Sequence, residues 1–192
     1  MENDFGTLHI ANNATTYQPV RQNNFRFFIT DEKFNSLLSS DGSQTFTDGR
    51  DILDFSVVKF DVPHFSQETI EIKRGNSKVY YAGVPTWNEG SLVINDFYTA
   101  DGKSILMAWQ ALSYNEANDT IPSSDVYKMT ASVNEYLPDN TLVRSWDLEG
   151  CWVKEITEDG WDNESGNKKT VTAKIRFDRA RQHANPAGSS SM

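Results

Sequence analysis

An antiparallel β-domain, a barrel or sandwich with one flanking α-helix, is the fold class this sequence predicts. Three observations predict it. Between residues 24 and 180 the dominant apolar period is two, the period of a strand with one buried face. One segment alone carries a clear helical period. Eleven Phe, seven Tyr and five Trp in 192 residues supply the large rings that fill a core of this size.

The elements follow in chain order. Residues 1–23 are polar and aperiodic, four Asn and two Gln among them, and read as an N-terminal extension ahead of a domain at 24–180. "NFRFFIT" (24–30) is the first strand candidate. In "DFSVVKFDV" the apolar phase switches between Val57 and Val58, which predicts a strand with a bulge or one covered on both faces. "ETIEIKRGNSKVYYAG" is two alternating arms about a polar "RGNS" turn, a hairpin with Ile70, Ile72, Val79 and Tyr81 on one face and Glu71, Lys73, Lys78 and Tyr80 on the other. The stretch "KVYYAGVPTWNEGSLVIND" (78–96) reads as strand, Pro-containing corner and strand.

From Thr99 or Asp101 as N-cap, "DGKSILMAWQALSYN" sets Ile105, Trp109 and Leu112 at i, i+4 and i+7, a stripe fit to cover a sheet or a barrel mouth. "YKMTASV", "LVRSWDLEGCWVKEI" (142–156) and "TVTAKIRFD" complete the strands. Residues 181–192, "RQHANPAGSSSM", read as a flexible C-terminal tail.

Composition excludes more functions than it suggests. Twenty-seven acidic against eighteen basic residues give a net charge of −9, which repels phosphate and disfavours nucleic-acid binding. No apolar run approaches the ~18 residues of a membrane span, and no signal-peptide pattern opens the chain. Cys151 has no second cysteine to pair with, so a reducing compartment is expected. The three N-x-S/T triplets, at Asn13, Asn118 and Asn163, then read as chance.

His9, His64 and His183 lie far apart, without zinc spacing or a catalytic dyad. Cys151, between a Gly and a Trp with no adjacent cation, reads as a packed thiol. The acidic loops 41–51 and 157–167 miss the twelve-residue calcium pattern and read as solvated turns. No phosphate loop, nucleophile elbow or selected carboxylate pair is present, so the residues favour a binding or building role over an enzyme.

The order of the pieces adds to this. "KFDVPHF", the hairpin, "TWNEGSLVIND", the Trp-bearing helix, "YKMTASVNEYL", "WDLEGCWVKEI" and the closing "KKTVTAKIRFDRA" together resemble the tail tube proteins of contractile-tailed bacteriophages, relatives of the tube proteins of bacterial contractile injection systems. The resemblance covers about residues 24 to 178 and rests on order and pattern more than on identities. It implies a small β-barrel flanked by a helix, hexameric rings stacked into a hollow conduit for DNA, no cofactor and no active site.

Its implied partners are further copies of the chain, a sheath, a baseplate and a tail terminator, with no membrane, and its implied location is the virion tail, assembled in the host cytoplasm. The family's contacts between rings use long loops and the hairpin arm. Carried over, these roles fall on residues 68–82 and on the loop at 39–51. The inter-subunit contacts expected on the arm are Ile70, Glu71, Ile72, Lys73, Arg74, Lys78, Val79, Tyr80 and Tyr81. Which residues face the lumen is not assigned. A baseplate tube initiator or an injection-system tube protein fits the same pattern. From a different class, an acidic aromatic-rich β-domain fits a carbohydrate-binding module, with Trp87, Trp109 or Trp161 as sugar platforms.

Overall fold

Short runs of period-two patterning reach a stable state in water by pairing and turning one face to a shared core. The computed structural model of the chain describes residues 21–34, 49–97, 101–161 and 166–184. Its elements are β1 (Phe25–Ile29), α1 (Gly49–Ser56), β2 (Val57–Phe60), β3 (Phe65–Arg74), β4 (Ser77–Trp87), β5 (Gly90–Asn95), α2 (Gly102–Ala111), a single helical turn at Ser124–Tyr127, β6 (Met129–Tyr136), β7 (Leu142–Glu158), β8 (Thr170–Arg176) and β9 (Arg179–Ala184).

Six strands lie in the order β1-β6-β7-β8-β5-β2, with β9 also paired to β7, and every pairing is antiparallel. The sheet coils until its end strands meet. Phe27 of β1 and Phe60 of β2 stand 4.9 Å apart ring to ring, so side chains close the barrel seam. Inside, Leu92 and Ile94 of β5 face Val171, Ala173 and Ile175 of β8, every second residue as alternation requires.

β7 runs 17 residues because it serves both ends of the barrel, pairing β6 along its first part and β8 along its second. Leu148 and Cys151 are both buried although three residues apart, so the side-chain phase shifts between them. Gly150 makes the shift, with a φ of +68°. That left-handed φ favours glycine, and a Cβ there would also force the Asp178 carboxylate to move.

Helix α2 begins where Asp101 accepts a hydrogen bond from the Ser104 backbone N–H at 2.8 Å, an N-cap worth about 1 kcal/mol. Ile105, Leu106 and Trp109 are buried on its inner face, and Leu112 packs at its end. Trp109 meets Phe34 edge-on and donates its indole N–H to the Tyr127 carbonyl at 3.3 Å. The helix lies against β7 as a lid on the barrel.

Two sequence expectations change, and one left open resolves. "DFS" is not strand but the end of α1, because Ile52, Leu53 and Ser56 share a helical face, with Leu53 buried and the Ser56 hydroxyl donating to the Ile52 carbonyl. The phase switch at Val57 and Val58 is a bulge, since the β2–β5 register slips between Val57 and Lys59. Residues 181–184 are strand rather than tail: β9 pairs with β7, Arg181 forms a cross-strand ion pair with Glu149 at 3.2 Å, and the His183 Nε2 lies 2.9 Å from the Asp147 carboxylate. The N-terminal extension as far as residue 20, most of the 39–51 loop, and residues 185–192 lie outside the described residues.

Candidate assembly surface

β3 and β4 form a separate two-stranded ribbon that leaves the barrel. Ten residues at ~3.4 Å each make it roughly 30 Å long. Its tip is a two-residue turn with Gly75 at φ +61° in the first central position, as a type II′ turn requires, and the Ser77 hydroxyl donates to the Arg74 carbonyl. Register sets the faces. Ile70 opposes Tyr81 and Ile72 opposes Val79, while Glu71 opposes Tyr80 and Lys73 opposes Lys78. The ribbon therefore has one apolar and one polar face, and all nine arm residues named from sequence lie on it.

The apolar face stands largely open among the described residues. Ile70 is 51% exposed, Ile72 46% and Tyr81 46%. On the polar face Lys78 pairs with Glu71 at 2.8 Å. Lys73, Arg74 and Lys78 leave the tip basic in a chain whose net charge is −9. Like charges directly opposed, as Lys73 and Lys78 are, weaken an isolated hairpin.

The root of the arm is aromatic. Phe65 and Trp87 stand 5.1 Å apart, and Trp87 reaches Phe177 of the barrel at 6.1 Å. Pro85 was expected to turn the chain; it lies instead within β4, opposite Gln67. A two-stranded ribbon tolerates this because each strand has a free edge where a missing N–H breaks no ladder bond. The turn falls at Asn88, whose N–H donates to the His64 carbonyl. In the β4 bulge at Gly83 and Val84, opposite Glu68, a Cβ on Gly83 would sit 2.7 Å from the Glu68 carbonyl oxygen, so glycine is required there too.

The other candidates resolve into structural roles. Cys151 is fully buried, and burial pushes its thiol up to about 12. Asp159 of the acidic 157–167 loop accepts from the Thr170 N–H and hydroxyl, which hold its carboxyl below the usual range. Trp109 is 1% exposed, and no sugar can stack on it. Trp87 is spent on the arm root, and Trp161, though 90% exposed, carries Lys169 at 5.2 Å over its ring. No group of three or more potential metal ligands occurs among the described residues. No helix there is long and apolar enough to cross a membrane.

A closed antiparallel barrel with a lid helix and a projecting ribbon is the tail-tube fold that the sequence resemblance implied. A chain of the PVC sheath–tube complex of an extracellular contractile injection system, in its extended state, is similar at a TM-score of 0.59 and 17% identity, over 88% of this chain and 94% of that one. The PVC sheath/tube terminator structure gives 0.64 and 16%, over 88% and 99%. The tube terminating cap of the anti-feeding prophage gives 0.59 and 15%, over 92% and 99%. All three come from sheath–tube, terminator or cap assemblies. No family profile and no curated protein sequence matches the chain.

Proposed function

We propose that this chain is a ring-forming tube subunit of a contractile tail machine, with hexameric rings stacked into a hollow conduit and with sheath, baseplate and terminator proteins as partners. The uncovered apolar face of the arm carries this reading, on a barrel of the tube fold. A two-stranded ribbon is marginal in water by itself, and its apolar face gains ~25 cal/mol per Å² only when something covers it. In a ring every arm finds a neighbour, so the gain repeats around the circle. The phage form of the reading, a tail tube passing viral DNA, rests on the sequence resemblance. The solved structures favour an injection-system tube equally.

Sedimentation velocity at rising concentration tests the proposal. Rings or longer assemblies support it, and a strictly monomeric species throughout contradicts it. Rings that never stack favour instead the terminator or cap role of two of the similar structures.

The charge suits a conduit. Six copies at −9 each give a ring that repels the phosphate backbone rather than holding it. The arginines near the C-terminal strands do not reverse this, since Arg181 pairs with Glu149 and Arg176 lies in the field of Glu89. Assembled protein should therefore leave double-stranded DNA unshifted in a low-salt gel. Tight binding that falls steeply with salt would contradict a repelling lumen.

A further inference from the structure

The barrel has a further open apolar surface, at the end opposite the arm. β2 starts and β5 ends there, since Val57 pairs with Ile94, whereas Phe60 and Gly90 stand at the arm end. β8 starts there too, with Thr170 opposite Asn95, and β7 ends there, with Glu158 opposite Val171. Three aromatic rings lie open on this end. Phe55, the last apolar residue of α1, is 79% exposed and lies against Phe97, 37% exposed, at 5.9 Å between ring centroids. Trp161 is 90% exposed.

One cation joins these rings into a strip. Lys169 sits 5.2 Å from the Trp161 ring centroid, 2.8 Å from Glu158 and 4.0 Å from Asp96, the residue before Phe97, and Glu158 also holds Lys103 at 2.7 Å. The four charged side chains are already paired with one another and largely covered, so a partner lying over them strips little water from any bare charge.

We propose that this strip is the face through which one ring stacks on the next, seated against the arm-bearing end of a second copy of the chain, where Val62 and Phe65 stand exposed. The proposal rests on the tube-subunit reading. Area selects the occupant. Rings of ~150–250 Å² each, open to the extents given, offer about 400 Å² of aromatic surface, roughly half of the ~800 Å² that each partner gives a stable complex. A single contact of this size does not hold a pair. A partner that repeats the matching surface around a circle does, because the contacts then form together and their effects multiply, and a further ring of the same chain is such a partner. The two ends of the barrel also differ, so their contact is head-to-tail and propagates along a stack instead of closing as a dimer.

The test uses the full chain and reads two concentrations by negative-stain microscopy and sedimentation velocity, that at which rings form and that at which rings become rods. Phe55→Ser/Trp161→Ser should raise the second about tenfold or more and leave the first, and the Tm, at wild-type values. Trp161→Ser alone should move the second in the same direction, and it keeps the test decisive if the double variant fails to fold, since so exposed a ring has no part in the core. Rods from Trp161→Ser at the wild-type concentration give the strip to some other partner and overturn the stacking face. Loss of rings along with rods overturns it too, because the strip then lies within the ring. A wild-type chain whose rings never stack overturns the stacking face while the ring reading stands, and one that stays monomeric overturns the tube reading itself.

Discussion

A chain in which a Gly-Ser turn replaces residues 70–81, so that Thr69 turns directly into Ala82, should fold and melt as the wild type does, yet form no tubes. Thr69 and Ala82 are already cross-strand partners, so the shortened ribbon closes on existing geometry. Its aromatic root at Phe65 and Trp87 is untouched. What leaves is a face that stands about half exposed among the described residues. Full burial of a Val, Ile or Tyr-sized side chain is worth about 1.5–3 kcal/mol, and these side chains are already half covered, so each stands to gain roughly 1 kcal/mol from a neighbour. Four such side chains at every contact of a ring decide whether it closes. Normal tubes from the shortened chain would make the arm a decoration, and aggregation or loss of the β signature would make it part of the core.

Trp109→Ala should have the largest effect on the fold. The ring is 1% exposed, packs edge-on against Phe34 and donates to the Tyr127 carbonyl, which would lose its partner. Truncating a buried Trp costs about 3–5 kcal/mol, a large share of the ~5–15 kcal/mol that holds a domain. Tm should fall on the order of 10 °C. Trp161→Ala is the control, since that side chain is 90% exposed and its removal should leave Tm nearly unchanged. A loss below about 2 °C for Trp109→Ala would mean that α2 does not seal the barrel.

The residues that could be read in advance are those whose local pattern and tertiary role agree. β5 and β8 alternate because each has one face in the barrel, and α2 shows its stripe and its Asp101 cap for the same reason. The arm was legible through its turn and its two-faced arms. The misreadings fall where tertiary contacts override local signals. Eight residues of α1 are too few to show a period beside a strand, and what stabilises them is the burial of Leu53 with the pairing of Asp54 to Arg26 of β1 at the surface. β9 carries three exposed polar residues in a row, so Arg181, Gln182 and His183 look like tail until Glu149 and Asp147 appear beside Arg181 and His183. Pro85 signals a corner in any single sequence, and only the ribbon's free edge lets β4 run through it.

Negative-stain micrographs of the purified chain at rising concentration test the central claim most directly. The tube reading predicts rings with six-fold end views that stack into hollow rods as concentration rises. Isolated particles of about 20 kDa at every concentration would contradict it.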